Sequence, residues 1–89
     1  MDTYRIVGAR RYSFKSDDGR LIEGYTVYCL VQPSSSSKNV IGYFADKFTL
    51  SESNFERFNV ESLVATKATV ELYYNKYGRV SNIVRVSDD

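Results

Sequence analysis

The sequence contains no histidine, no tryptophan and a single cysteine. Without histidine it lacks the commonest general base and the commonest metal ligand of proteins. It also contains no Walker loop, no G-x-G-x-x-G turn and no G-x-S-x-G nucleophile elbow. The acidic turn Asp17-Asp18-Gly19 lacks the ligand spacing of a calcium loop. The sequence therefore predicts a protein that is not an enzyme and needs no cofactor or metal ion.

The single cysteine, Cys29, cannot form a disulfide within the chain. It lies inside an apolar strand pattern, which favours a small buried side chain over a nucleophile. A chain without disulfides is typical of a reducing compartment. No segment has the apolar length needed to span a bilayer, and no apolar run near the N-terminus indicates a signal peptide. These features predict a cytoplasmic protein without membrane contact.

The 89 residues are enough for one domain, 1–89, in which period-2 alternation of apolar and polar residues predicts mainly β-structure. Tight turns are expected where glycine follows Asp or Asn. The predicted strands are Thr3–Phe14, Arg20–Gln32, Val40–Leu50 and the two strands of a hairpin over Lys67–Val86.

Between the strands, the polar loop over residues 33–39 is rich in serine and is predicted to be mobile. Ser51 is a good N-cap, Glu52 suits a helix N-terminus, and Leu50 and Phe55 have the positions of a hydrophobic staple. One short helix is therefore predicted over residues 51–58, followed by an irregular link over residues 59–66.

The resulting order, β-β-β-α-β-β, is that of the OB-fold, a five-stranded Greek-key barrel. Gly8 in the middle of the first strand indicates a bend or bulge, which a small barrel needs where one strand serves two sheets. An SH3-like barrel is the alternative, because it too consists of five short strands. Apolar residues on both faces of the second strand leave open which face is the core.

The hairpin over residues 67–86 has an aromatic and basic tip. Tyr73, Lys76, Tyr77 and Arg79 surround its predicted turn, in which Gly78 supplies a positive φ. Exposed tyrosines beside cations are suited to stacking on bases and neutralising phosphates. The alternative is a hairpin whose rings only cover neighbouring strands.

The formal net charge of +1 conceals an uneven distribution. Residues 3–15 contain four cations and no acid, and residues 67–87 contain four cations and one acid, whereas the segment between them has an excess of acids. If the first and last strands are neighbours, these cations form one basic face that could bind a polyanion.

The chain resembles the single-stranded-DNA-binding proteins of filamentous phages and similar small proteins of mobile elements. The resemblance rests on the second-strand residues Gly19-Arg20 and Tyr25-Thr26-Val27-Tyr28-Cys29, and on the ending ATVELYYNKYGRVSNIVRV. It implies an OB-like fold, a homodimer, a role in DNA replication and binding of single-stranded DNA. By position it implies backbone-contacting cations at Lys15, Arg20, Lys47 and Arg85, and stacking aromatics at Tyr25 and Tyr77.

The leading hypothesis is a module that binds single-stranded nucleic acid, DNA or alternatively RNA, with little sequence preference. Tyrosines would stack on bases while cations contact phosphates. The alternative is a small protein-interaction domain, because tyrosine and arginine also dominate protein–protein hot spots. The candidate site residues are Arg11, Lys15, Arg20, Tyr25, Lys47, Tyr73, Tyr77, Arg79 and Arg85.

Overall fold

A computed structural model describes residues 3–33 and 40–87 of the chain. Strands dominate it, and two short helices follow the third strand. The predicted Ser-rich loop lies outside the described residues, except for Pro33. The elements are, in order, β1 (Thr3–Lys15), β2 (Leu21–Gln32), β3 (Phe44–Leu50), α1 (Glu52–Arg57), α2 (Val60–Thr66), β4 (Thr69–Tyr74) and β5 (Val80–Ser87).

The five strands form one antiparallel sheet in the order β3-β2-β1-β4-β5. This confirms the predicted β-rich class and the five strands. Strands β3 and β5 are the two edges, and no ladder of backbone hydrogen bonds joins them among the described residues. The sheet is therefore open, so the predicted closed barrel and its OB-like order are not confirmed.

Strand β1 holds the two halves of the sheet together. It pairs with β2 from Thr3 to Lys15 but with β4 only at Tyr4 and Arg5. Its register with β2 shifts between Ile6 and Gly8, which confirms the predicted irregularity at this glycine. The β1–β2 hairpin consequently extends beyond its neighbours, and the molecule measures 46 × 27 × 22 Å.

The turn between β1 and β2 closes through local hydrogen bonds. The Ser16 N–H donates to the Arg20 carbonyl at 2.8 Å, and Gly19 adopts a φ of +86°. The Asp18 carboxylate accepts from the Ser16 hydroxyl and, at 3.2 Å, from the Arg20 N–H. These hydrogen bonds, chiefly the one from Ser16, hold the pKa of Asp18 below its usual value.

The core lies on one face of the sheet. On β2 it includes Val27, Cys29 and Val31. The alternation in this strand left open which of its faces is the core, and the face with these three residues is the buried one. Helix α2 covers this face with Val60 and Leu63, whereas α1 contributes no buried residue. The core residues are Ile6, Val27, Cys29, Val31, Leu50, Val60, Leu63, Ala68, Val70, Leu72 and Val80.

The segment after β3 contains two helices where the sequence predicts one. Ser51 caps α1 as predicted, with its Oγ accepting from the Asn54 N–H at 3.3 Å. Asn59 then adopts a left-handed conformation with a φ of 52°, which ends the first helix and redirects the chain. Residues 60–66, predicted to be an irregular link, form α2 because its apolar side packs on the sheet.

Candidate nucleic-acid interface

A cleft of about 540 Å³ lies where the two edges of the open sheet approach each other. One wall comes from β2 and β3, and the other comes from the end of the β4–β5 hairpin. The cleft therefore occupies the gap across which a closed barrel would pair its strands. Its lining residues are Thr26, Lys47, Phe48, Thr49, Tyr74, Gly78, Arg79 and Val80.

The turn of the β4–β5 hairpin fixes the second wall. The Asn75 N–H donates to the Arg79 carbonyl at 2.8 Å, and Gly78 adopts a φ of +78°. The Asn75 side chain accepts from the backbone N–H groups of Tyr77 at 2.9 Å and Arg79 at 3.1 Å. The predicted tight reversal is confirmed, and it holds Arg79 at the mouth of the cleft.

The cleft is electropositive. Lys47 and Arg79 line it from opposite walls, and its lining among the described residues contains no carboxylate. Neither cationic side chain has a carboxylate partner in the described part of the chain. The nearby Asp46 carboxylate accepts from the Lys47 backbone N–H at 2.8 Å. Two cations that face one concavity without counter-charges attract an anion to it.

Aromatic rings adjoin these cations. Tyr74 lines the cleft and is 51% exposed. Tyr77 at the hairpin tip is 75% exposed, and the Lys76 Nζ lies 5.1 Å from the centre of its ring. Tyr73 is exposed on the same strand as Tyr74, and its hydroxyl lies 3.5 Å from a Glu71 carboxylate oxygen. Rings at this hairpin are therefore accessible to a base.

Arg11 lies away from the cleft and is engaged by two carboxylates. Its guanidinium contacts Glu23 at 2.5 Å and Glu52 at 2.9 Å, which joins the β1–β2 hairpin to α1. The hydrogen bond with Glu52 and then the charge of Glu23 raise the pKa of Arg11. Phosphate binding by Arg11 stays a prediction, and it requires competition with both acids.

The other predicted cations also lie outside the cleft, in separate parts of the molecule. Lys15 and Arg20 lie at the end of the β1–β2 hairpin, where Arg20 pairs with Asp18 at 3.0 Å. Arg20 is six residues from Thr26 of the cleft, or about 20 Å along an extended strand. The Arg85 guanidinium donates to the Thr66 hydroxyl at 2.7 Å, beside the end of α2.

Tyr25 stacks on Phe55 of α1, with ring centres 3.8 Å apart and ring planes 10° apart. One face of the predicted stacking ring is therefore covered by the protein. A shallow crevice lined by Ala9, Glu61 and Val64 adjoins this pair. The structure thus brings Lys47 and Arg79 into one cleft, and it places Tyr73 and Tyr77 on the hairpin that forms the second wall of that cleft. Arg11, Lys15, Arg20, Tyr25 and Arg85 lie elsewhere.

Several cleft residues are absent from the set predicted from the sequence. Tyr74 is the last residue of β4, and its position directly before the turn Asn75–Gly78 could have indicated it. Thr26 and Thr49 are opposite each other in the β2–β3 ladder and supply hydroxyl groups to the cleft. No periodicity reveals these threonines, because their position depends on which strands form the edges.

Residues 3–33 and 40–87 contain no group of three or more Cys, Asp or Glu side chains that could hold a metal ion. Within the same residues, neither helix is long and apolar enough to cross a membrane. Buried side-chain polar atoms in this part of the chain all have hydrogen-bond partners. The cleft combines two cations, Lys47 and Arg79, with the aromatic side chains of Phe48 and Tyr74.

Comparison of the chain with known protein families, with curated proteins and with solved structures gives no match. The resemblance to phage DNA-binding proteins is therefore still a prediction. The function has to be argued from the geometry of the cleft and its surroundings.

Proposed function

We propose that this protein binds single-stranded nucleic acid, preferably DNA, with little sequence preference. The observation that carries the proposal is the cleft between the two sheet edges, which has Lys47 and Arg79 on opposite walls and no carboxylate in its described lining. Phosphates would occupy the cleft between these cations. Bases would stack on tyrosines at its margin.

The side chains at the cleft suit the bases and phosphates of a single strand. Stacking of a base on an aromatic side chain contributes about 1–3 kcal/mol, and every base has a π-face, so the contribution does not depend on sequence. Tyr74 and Tyr77 offer exposed rings on the same hairpin that supplies Arg79. The threonine hydroxyls of the opposite wall can donate to phosphate oxygens.

An unpaired strand fits this arrangement better than a duplex. Rings at the hairpin can stack only on bases that are not already stacked within a double helix. The two cations of the cleft, Lys47 and Arg79, lie on opposite walls of one concavity. The proposal therefore includes preference for single strands over duplex of the same length.

Titration with oligo-dT, followed by intrinsic tyrosine fluorescence, tests the proposal. The chain contains eight tyrosines and no tryptophan, so quenching reports on tyrosine alone. We expect quenching that weakens steeply from low to moderate salt, and much weaker binding of a duplex. Tyr77→Ala should reduce affinity by about 5- to 150-fold, the equivalent of one stacked base.

Lys67→Asn is the matched control for Arg79→Gln. Both changes remove one cation, but Lys67 ends α2 at the opposite end of β4 from the cleft. Asparagine tolerates the left-handed conformation that Lys67 adopts, with a φ of 51°. Equal affinity for oligo-dT in the two variants would contradict the assigned cleft. Absence of quenching and of any mobility shift at low salt would contradict nucleic-acid binding and favour a protein partner.

A further inference from the structure

The outer face of the sheet next to the cleft carries a second exposed ring. Tyr28 of β2 is 38% exposed and points away from the core. In the ladders it stands opposite Lys47 of β3 on one side and Gly8 of β1 on the other. Since Gly8 has no side chain, this residue does not cover the ring.

The bulge in β1 produces this opening. The register shift between Ile6 and Gly8 leaves Val7 without a partner in the β2 ladder and sets the glycine opposite the tyrosine. A Cβ built at Gly8 would meet no atom within 4 Å, and the φ of this glycine is not positive. Neither backbone conformation nor local packing therefore requires glycine here. What its small size provides is open space beside Tyr28.

Cations flank this ring. Arg5, Arg10 and Lys47 all fall on the outer face of the three strands β1, β2 and β3, and the register places no acidic residue there. The carboxylates of these strands, on Glu23 and Asp46, belong to the opposite row. Asp46 does line the rim of a shallow recess of about 250 Å³ next to Tyr28, which it shares with Ala45 and Lys47.

The cleft and this outer face are continuous. Lys47 lines both the cleft and the recess beside Tyr28. Thr26 lines the cleft and stands opposite Arg10 in the β1–β2 ladder. A chain of anionic groups that leaves the cleft over Lys47 therefore meets Tyr28 next and Arg10 beyond it. Neighbouring strands are about 4.8 Å apart, and Arg10 stands two residues along β1 from Gly8, so this path is about 13 Å long.

We infer that the nucleic-acid site extends from the cleft across the outer face of the sheet, with one base stacked on Tyr28 and the backbone held by Arg10 and Lys47. The inference rests on the proposed function and names its substrate class more closely. The ligand is an unpaired strand long enough to occupy the cleft and cross β2. Gly8 keeps the stacking position open.

Three variants test the inference. Tyr28→Ala removes the ring, and Tyr28→Phe is its matched control because it keeps the ring and loses only the hydroxyl. For a long oligo-dT we expect a roughly 5- to 150-fold loss of affinity with alanine and a near-normal value with phenylalanine. Gly8→Val should also weaken binding, because its side chain would stand beside the ring, within about 5 Å between Cβ atoms. Its melting temperature should not fall, since the space at Gly8 is open.

Ligand length provides a second measurement. An oligo-dT of about four nucleotides, the lower limit of such site sizes, can fill the cleft without crossing β2. Its affinity should depend on Arg79 and be insensitive to Tyr28→Ala. If long and short ligands bind Tyr28→Ala as they bind the unmodified protein, while Arg79→Gln weakens both, the extension is wrong and the cleft alone is the site. If the unmodified protein binds neither, both the inference and the proposed function fail.

Discussion

Two glycines on the outer face of the sheet have opposite surroundings, and the contrast defines what each residue does. A Cβ at Gly8 would meet nothing within 4 Å. A Cβ at Gly24 would lie 2.5 Å from the Tyr12 hydroxyl oxygen and 2.8 Å from the Leu50 carbonyl oxygen. Glycine at position 24 thus lets the Tyr12 ring cross β2, whereas glycine at position 8 leaves a surface open.

Gly24→Ala should therefore destabilise the protein. The Leu50 carbonyl belongs to the backbone and cannot move away, and overpacking of this kind costs about 1–3 kcal/mol. Gly8→Ala is the control, and we expect it to leave the free energy of unfolding unchanged or slightly raised. Urea denaturation followed by circular dichroism measures both. Equal midpoints for the two variants would contradict the packing described at Gly24.

Burial determines the reactivity of the Cys29 thiol. Its side chain is 2% exposed, and burial, with a smaller effect of the Asp46 charge, raises the pKa of the thiol to about 11. We expect slow reaction with a thiol reagent at pH 8 in the folded protein and fast reaction in denaturant. Rapid labelling of the folded protein would contradict the burial of this residue.

The same pKa shift predicts a direction for stability against pH. Between the ordinary pKa of a thiol and about 11, the unfolded chain loses the Cys29 proton while the folded chain keeps it. The contribution is therefore fully present below the ordinary value and is lost as the pH rises towards 11. Cys29→Ala should remove this part of the alkaline loss of stability, which melting curves at increasing pH would detect.

At the scale of elements, the strands were predictable because their alternation is a local property of the chain. The register irregularity at Gly8 and the tight turn at Asn75–Gly78 also followed from local chemistry. Strand β3 begins at Phe44, four residues later than predicted.

Helix α2 was not predictable in this way. Its sequence, VESLVAT, contains β-branched residues with low helix propensity. It forms because Val60 and Leu63 pack on the sheet, a long-range interaction that no window of sequence contains.

The open sheet also depends on long-range interactions, since pairing between β3 and β5 is not specified by any local pattern. Only part of the site was predicted, because the cleft depends on which edges approach each other.

The stack of Tyr25 on Phe55 connects two elements, β2 and α1. Tyr25→Ala should lower the free energy of unfolding by about 1–3 kcal/mol, because it removes both buried area and the stacking of the two rings. Tyr25→Phe keeps the stack and serves as the control. We further expect Tyr25→Ala to reduce oligo-dT affinity less than Tyr77→Ala does, when both are measured well below their melting temperatures. A loss of affinity without a loss of stability would instead support direct stacking of Tyr25 on a base.

At the scale of the whole molecule, the small net charge conceals two groups of cations with different surroundings. Arg11 and Arg20 are paired with acids, whereas Lys47 and Arg79 face the cleft without carboxylate partners in the described residues. A nearly neutral protein can therefore present one local anion-binding surface. The homodimer implied by the resemblance stays a prediction, and light scattering coupled to size-exclusion chromatography would test it.

The salt dependence of oligo-dT binding tests the central claim most directly. For single strands, the slope of log affinity against log salt becomes shallower by about 0.7 for each phosphate that the protein no longer neutralises. If Lys47 and Arg79 hold phosphates, Lys47→Gln and Arg79→Gln should each change the slope by about this amount, and the double variant by about twice as much. The control Lys67→Asn should keep the slope of the unmodified protein. Parallel lines for all four variants would contradict phosphate binding in the cleft.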